Sequence, residues 1–247
     1  MKSLARPLPL RPSGYEGQAR GLAKTLKVSI NDLIKWIMIF AKIFNSNSDP
    51  EGYIGYFNLK DWWLGTFTEE ERNHMLDIFR PMGASEDILV KGKFVTLGND
   101  SVLSFLTSLT GWFDNPRDRN LAHKIITKAE EYVSVEKNIL NLHFFYPTKM
   151  KLFYKERSNN PNALQIAIDS CLKQIEIAKK SAEVFKKEYP DSSLPAHEGY
   201  SQLCIIFEKQ GKFAEAIRIA KQAKEQGWND VWDKRINRCQ KKIDKSK

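Results

Sequence analysis

From residue 100 to residue 244, apolar residues recur every three or four positions in one segment after another. The segments are separated by breaks at 114–116, 158–161, 190–195, Gly211 and 227–229. That spacing sets the apolar residues along one face of successive helices, and breaks this short leave neighbouring helices antiparallel. Pro116 and Pro195 suit the first turn of the helices that follow, where a missing N–H is harmless.

Ahead of residue 100 the pattern differs. The segment 29–44 is the most apolar in the chain, and Ser29 with Asp32 three residues on marks a helix start. It carries Lys35 and Lys42 and stops at the turn-rich NSNSDPEG, short of the roughly 20 apolar residues a membrane span needs. It predicts a helix buried on most of its sides; a partner-binding helix is the other reading. Thr68 followed by Glu71 forms a capping box that starts a short helix, ended by Pro81 and Gly83. Residues 88–90 (ILV) and 93–97 (KFVTL) alternate imperfectly and predict the one short strand pair. The aromatics Tyr53, Tyr56, Phe57, Trp62, Trp63 and Phe67 are expected inside a small N-terminal core; exposed, they would form a binding platform. The expected organisation is mostly α: a mainly helical module over 1–98, then a stack of helical hairpins over 99–247.

The stretch 199–228 shows how such a hairpin is built. Tyr200, Leu203, Cys204 and Phe207 share a face of its first helix, and Ala216, Ala220 and Ala223 share a face of its second. Small residues let the two axes approach closely. Gly211 between them can take the left-handed conformation a tight turn needs. With Phe213 in the angle and Trp228 closing the unit, these residues resemble the tetratricopeptide repeat at its signature spacing. Cys204 stands where the family has a small glycine, Ala220 where it has an aromatic and Trp228 where it has a proline. Two looser copies lie upstream. One carries Leu106, Leu109, Thr110, Phe113, Ala122, Ile126 and Ala129; the other carries Met150, Tyr154, Ala167 and Cys171, with a turn about four residues longer. Three hairpins and a closing helix from about residue 230 to 244 suffice for a stack, because each neighbour supplies the core that one hairpin lacks.

The resemblance covers about 130 residues. It implies an α-solenoid that holds a peptide, a helix or another protein in a concave groove lined by the first helix of each hairpin. On this register the groove includes Thr148, Lys149, Leu152 and Lys155 from the middle hairpin and Ser201, Gln202, Ile205 and Lys209 from the last. Leu152 and Ile205 would supply apolar contact and the others would orient the ligand. Each is equally readable as a solvated helix-face residue. The lysine–asparagine set by which some family members clamp a C-terminal carboxylate is not reproduced, which argues against a client of that kind.

Charge offers a second reading. The net charge is +9, with +5 in residues 1–28, +4 in residues 229–247, and zero between them. Clustered Lys and Arg can bind phosphate, so a nucleic-acid-associated regulator using both basic ends is the alternative to an adaptor. Alternatively, the last helix is a solvated cap.

GxxxxGK[ST], HExxH, GxSxG and paired CxxC motifs are missing. His74 and Asp77, three apart on one helix, are expected to pair at the surface, and His143 beside Phe144, Phe145 and Tyr146 to pack half-buried. The acidic run TEEER suits a helix start. Cys171, Cys204 and Cys239 fit a reducing compartment as small apolar fillers. The proline-interrupted basic start lacks the apolar run of a secretion signal. The expectation is a cytoplasmic protein that is not an enzyme, needs no cofactor or metal and spans no membrane.

Overall fold

A computed structural model of the chain describes residues 51–83, 87–92 and 101–245. The apolar segment 29–44, the basic leader and the second expected strand, 93–97, lie outside the described residues. From Pro50 to Lys247 the chain forms one compact unit. It contains eleven helices among the described residues: α1 (Gly52–Tyr56), α2 (Lys60–Thr66), α3 (Glu69–Ile78), α4 (Val102–Trp112), α5 (Arg119–Glu130), α6 (Ile139–Lys155), α7 (Ala163–Glu176), α8 (Ala178–Glu188), α9 (Glu198–Lys209), α10 (Phe213–Gln226) and α11 (Trp232–Asp244).

The helix starts follow local sequence. Thr68 caps α3 in a full capping box, its hydroxyl accepting from Glu71 N–H at 3.1 Å while Glu71 accepts from Thr68 N–H at 2.9 Å. Ser101 caps α4 and Asn138 caps α6 by side-chain oxygens that accept from Ser104 N–H and Leu140 N–H, without the reciprocal bond. Pro116 and Pro195 stand three residues ahead of α5 and α9 instead of in their first turns. The capping positions go to Asp118 and His197, and the prolines serve the turns before them.

Residues 88–90 form a turn, not a strand. This turn caps α1: the carbonyls of Ile88, Leu89 and Gly92 accept from the N–H groups of Tyr53, Ile54 and Gly52. Three first-turn donors of α1, otherwise without partners, are thus satisfied by a distant piece of backbone.

Two apolar cores share the unit. In the first, Ile54, Trp63 and Met75 of the early helices and Phe67 between α2 and α3 pack with Leu103, Leu106 and Leu109 of α4, with Phe113 just after it, with α5, and with Phe145 and Leu152 of α6. Residues on both sides of the expected division near residue 98 contribute to this core. Of the N-terminal aromatics, Trp63 and Phe67 are buried, Tyr53 and Phe57 stack on Phe105 at 4.9 and 5.1 Å, and Tyr56 is half exposed. The second core joins α6 to α11 through Met150, Ala167, Cys171, Tyr200, Leu203, Ala220, Ala223 and Trp232.

Helices pair as α4 with α5, α6 with α7, and α9 with α10. Between pairs, α4 meets α6, α7 meets α9, and α11 closes on α10. The small residues expected at the hairpin crossings, Ala122, Ala129, Ala167, Cys171, Ala216, Ala220 and Ala223, are all buried. Gly211 turns the last hairpin with φ +73°. Between the breaks at 158–161 and 190–195 the chain bends at Ile177, whose carbonyl accepts from both Ser181 N–H and Ser181 Oγ. The bend makes α8 a separate helix packed on α6 and α7, and it carries Phe185 to the joint described next.

Candidate partner-binding surface and the joint beneath it

Pro147 lies inside α6. It has no N–H, so the carbonyl four residues back, that of His143, loses its helical partner. Gln174 of α7 takes that partner's place, its Nε2 donating to the carbonyl at 2.9 Å. The same amide then accepts, at Oε1, from Gly199 N–H at 2.7 Å, which is a first-turn donor of α9. The next donor, Tyr200 N–H, is taken by His197 Nδ1 at 3.2 Å. One glutamine therefore ties three helices together through two backbone groups that would otherwise be buried without partners. A Cβ at 199 would stand 2.6 Å from Gln174 Oε1 and 3.0 Å from the Cys171 carbonyl, so any larger residue must displace the bridging amide.

Around this bridge the aromatics close. The rings of His143 and His197 lie 5.2 Å apart, edge to face, and both contact Trp228, at 5.4 and 4.7 Å. Phe185 packs on His143 at 5.2 Å and Tyr200 on His197 at 4.6 Å. His143 is 3% exposed and His197 0%, so His143 is buried more deeply than the half-buried site expected. Burial holds both imidazoles neutral, lowering His143 to about 4 and His197 to about 3, with the neighbouring His143 adding to the effect on His197. Because His197 Nδ1 accepts a hydrogen bond, its proton sits on Nε2, which has no protein partner. The joint is a structural lock between the middle and last hairpins.

The eight residues expected to line a groove separate. Leu152 is fully buried in the first core and cannot touch a partner; α6 is packed on opposite sides, so the position assigned to its open face points inward. Thr148 Oγ1 donates to the Phe144 carbonyl of its own helix. Lys149 pairs with Glu130 of α5, and Lys155 with Asp114 at 2.6 Å. Ser201 donates to Asp230 at 2.8 Å. Gln202 and Ile205 are partly buried, the Gln202 amide nitrogen having no protein partner. Lys209 crosses to α6, where its Nζ lies 3.2 Å from the Tyr154 hydroxyl and 5.7 Å from the ring centre. The structure thus joins the two hairpins' sets where Lys209 reaches Tyr154, with Lys151 and Glu198 adding an α6–α9 ion pair at 2.6 Å. Lys149 and Ser201 are directed elsewhere.

The other histidines have structural partners. His74 bonds Asp118 at 2.8 Å, not Asp77, which lies 4.0 Å from Arg80; His123 bonds Glu156 at 2.7 Å. Among the described residues no group of three His, Cys, Asp or Glu is placed to hold a metal, and no helix is long and apolar enough to cross a membrane. On α11 the buried Arg235 and exposed Arg238 both grip Glu208 of α9, at 2.7 and 2.9 Å. Sequence reasoning missed this clamp, although an arginine among Trp232, Ile236 and Cys239 on the inner face of an amphipathic helix was a signal for it.

No family model, curated protein or solved structure matches this chain.

Proposed function

We propose that this chain is a non-enzymatic interaction protein, a tetratricopeptide-like stack that holds a protein or peptide partner against the face shared by α6 and α9. The observation that carries the reading is the burial of small residues at all three hairpin crossings. That is the packing a stack of this family requires, and it leaves the first-helix surfaces to other uses. On this face Tyr154, Lys155, Ile205 and Lys209 combine an aromatic ring, a half-buried aliphatic side chain and two lysine ammonium groups. A peptide with acidic and apolar residues has the chemistry that matches these groups. Leu152 takes no part. Three unpaired, buried thiols suit a reducing compartment such as the cytoplasm.

The test is co-purification with tagged full-length chain. Energy in such interfaces concentrates in a few residues, so Ile205→Asp with Lys209→Glu should release the partner while helical content is unchanged. Lys187→Glu with Lys221→Glu, exposed on α8 and α10, should retain it. Release by the second pair and retention by the first would contradict the assignment.

A further inference from the structure

The cationic face of α11 is distinct from the α6–α9 surface. Lys234, Arg238, Lys241 and Lys245 fall at positions i, i+4, i+7 and i+11 and are all exposed, a stripe about 16 Å long at the rise of an α-helix. With Asn237 and Lys242 they line a shallow concavity of about 460 Å³ that contains no acidic and no apolar residue.

Most acids near this stripe are engaged elsewhere, and only Glu208 reaches one of its cations, Arg238. Asp233 is held by Lys224 at 2.6 Å, and Asp230 bonds Ser201. Glu208 is shared by Arg235 and Arg238, and Asp244 accepts from Gln240 at 3.0 Å. Among the described ion pairs none involves Lys234, Lys241 or Lys245. The apolar side of the helix, Trp232, Ile236 and Cys239, is already packed in the unit's interior or against it.

We propose that this face of α11 binds the phosphate backbone of a duplex nucleic acid. The surface lacks something that each alternative ligand would need. A membrane-surface helix needs an apolar face free to enter the lipid, and that of α11 is occupied. A protein interface of ordinary affinity needs an apolar centre, and the concavity has none. Single-stranded nucleic acid is gripped by stacking bases on aromatic rings, and none lines the stripe. What remains is a straight row of cations that reads charge alone, as a phosphate backbone presents it. Binding of this kind is sequence-independent and strongly salt-sensitive.

The experiment is fluorescence anisotropy of full-length chain with a labelled 24-base-pair duplex, from about 50 to 200 mM salt. With three to four phosphate contacts, the slope of log affinity against log salt should be about −3 to −4. Lys234→Glu with Lys241→Glu and Lys245→Glu should weaken binding about tenfold or more at low salt and flatten the slope. Lys180→Glu with Lys186→Glu and Lys187→Glu, the same charge change on α8, should leave both nearly unchanged. Lys241→Glu with Lys245→Glu alone should give an intermediate loss, guarding against misfolding of the triple variant. Equal losses in the α11 and α8 variants would overturn the proposal, as would no binding by the parent chain at low salt. Equal affinity for polyglutamate, or for vesicles rich in anionic lipid, would reassign the surface to an acidic protein or a membrane and overturn it as well.

Discussion

Lowering the pH from 8 to 5 should weaken the fold specifically through His143 and His197. Both are buried neutral, near 4 and 3, whereas the unfolded chain titrates them near the ordinary histidine value of 6.5. A histidine whose value is depressed on folding contributes its stability in full above the unfolded value. That contribution is lost as the pH falls from about 6.5 towards the folded value. At pH 5 the unfolded imidazole is protonated in about thirtyfold excess and the folded one is still neutral. Each histidine then shifts the equilibrium by about 2 kcal/mol, or about 4 kcal/mol for the pair. The figure depends little on the folded values so long as both lie well below 5. Protonating His197 in place would also set an Nδ1–H against the Tyr200 N–H it now accepts from. The assay is urea unfolding followed by far-UV circular dichroism at half-unit intervals between pH 8 and 5. His197→Asn keeps a capping acceptor but cannot titrate, so between pH 8 and 5 it should lose about 2 kcal/mol less than the parent chain. Identical pH slopes for the two proteins would rule out a buried neutral His197, whatever the variant's absolute stability.

Other consequences follow from the packing. Gly199→Ala should cost about 2 kcal/mol by displacing the Gln174 bridge, read as a lower urea midpoint. Ala216→Leu, at a fully buried crossing, should cost roughly 1–3 kcal/mol, whereas Ala214→Leu, on the exposed side, should stay within about 0.5 kcal/mol; equal midpoints would refute the register. Thr68→Ala should cost about 1 kcal/mol through loss of the capping box. Cys171 and Cys204, buried and pushed up to about 12, should react with a maleimide only after the chain unfolds, a difference that mass spectrometry detects.

Local signals in the sequence were legible where the structure uses them locally. The capping box at Thr68 and Glu71, the left-handed turn at Gly211 and the small residues at the hairpin crossings all depend on residues a few positions apart. The lock between hairpins was not legible in this way. Its logic begins with a proline in α6, passes to a glutamine 31 residues from His143, and ends at a glycine 25 residues further on; no periodicity marks such a chain. Leu152 was misplaced for a related reason. Buried residues Phe145, Pro147, Met150 and Leu152 ring α6, because first-core and second-core residues pack on different sides of it. Its sequence therefore shows no single apolar stripe from which an outer face could be read. The break at Ile177 was hidden because α7 and α8 continue one apolar pattern through it.

Whether a partner sits on the α6–α9 face can be decided with a photo-crosslinking amino acid placed at Ile205 or, for comparison, at Lys221. After irradiation of the chain with its co-purified partner, position 205 should give a covalent adduct and position 221 none. An adduct from 221 with none from 205 would place the partner elsewhere and contradict the proposed function's binding face.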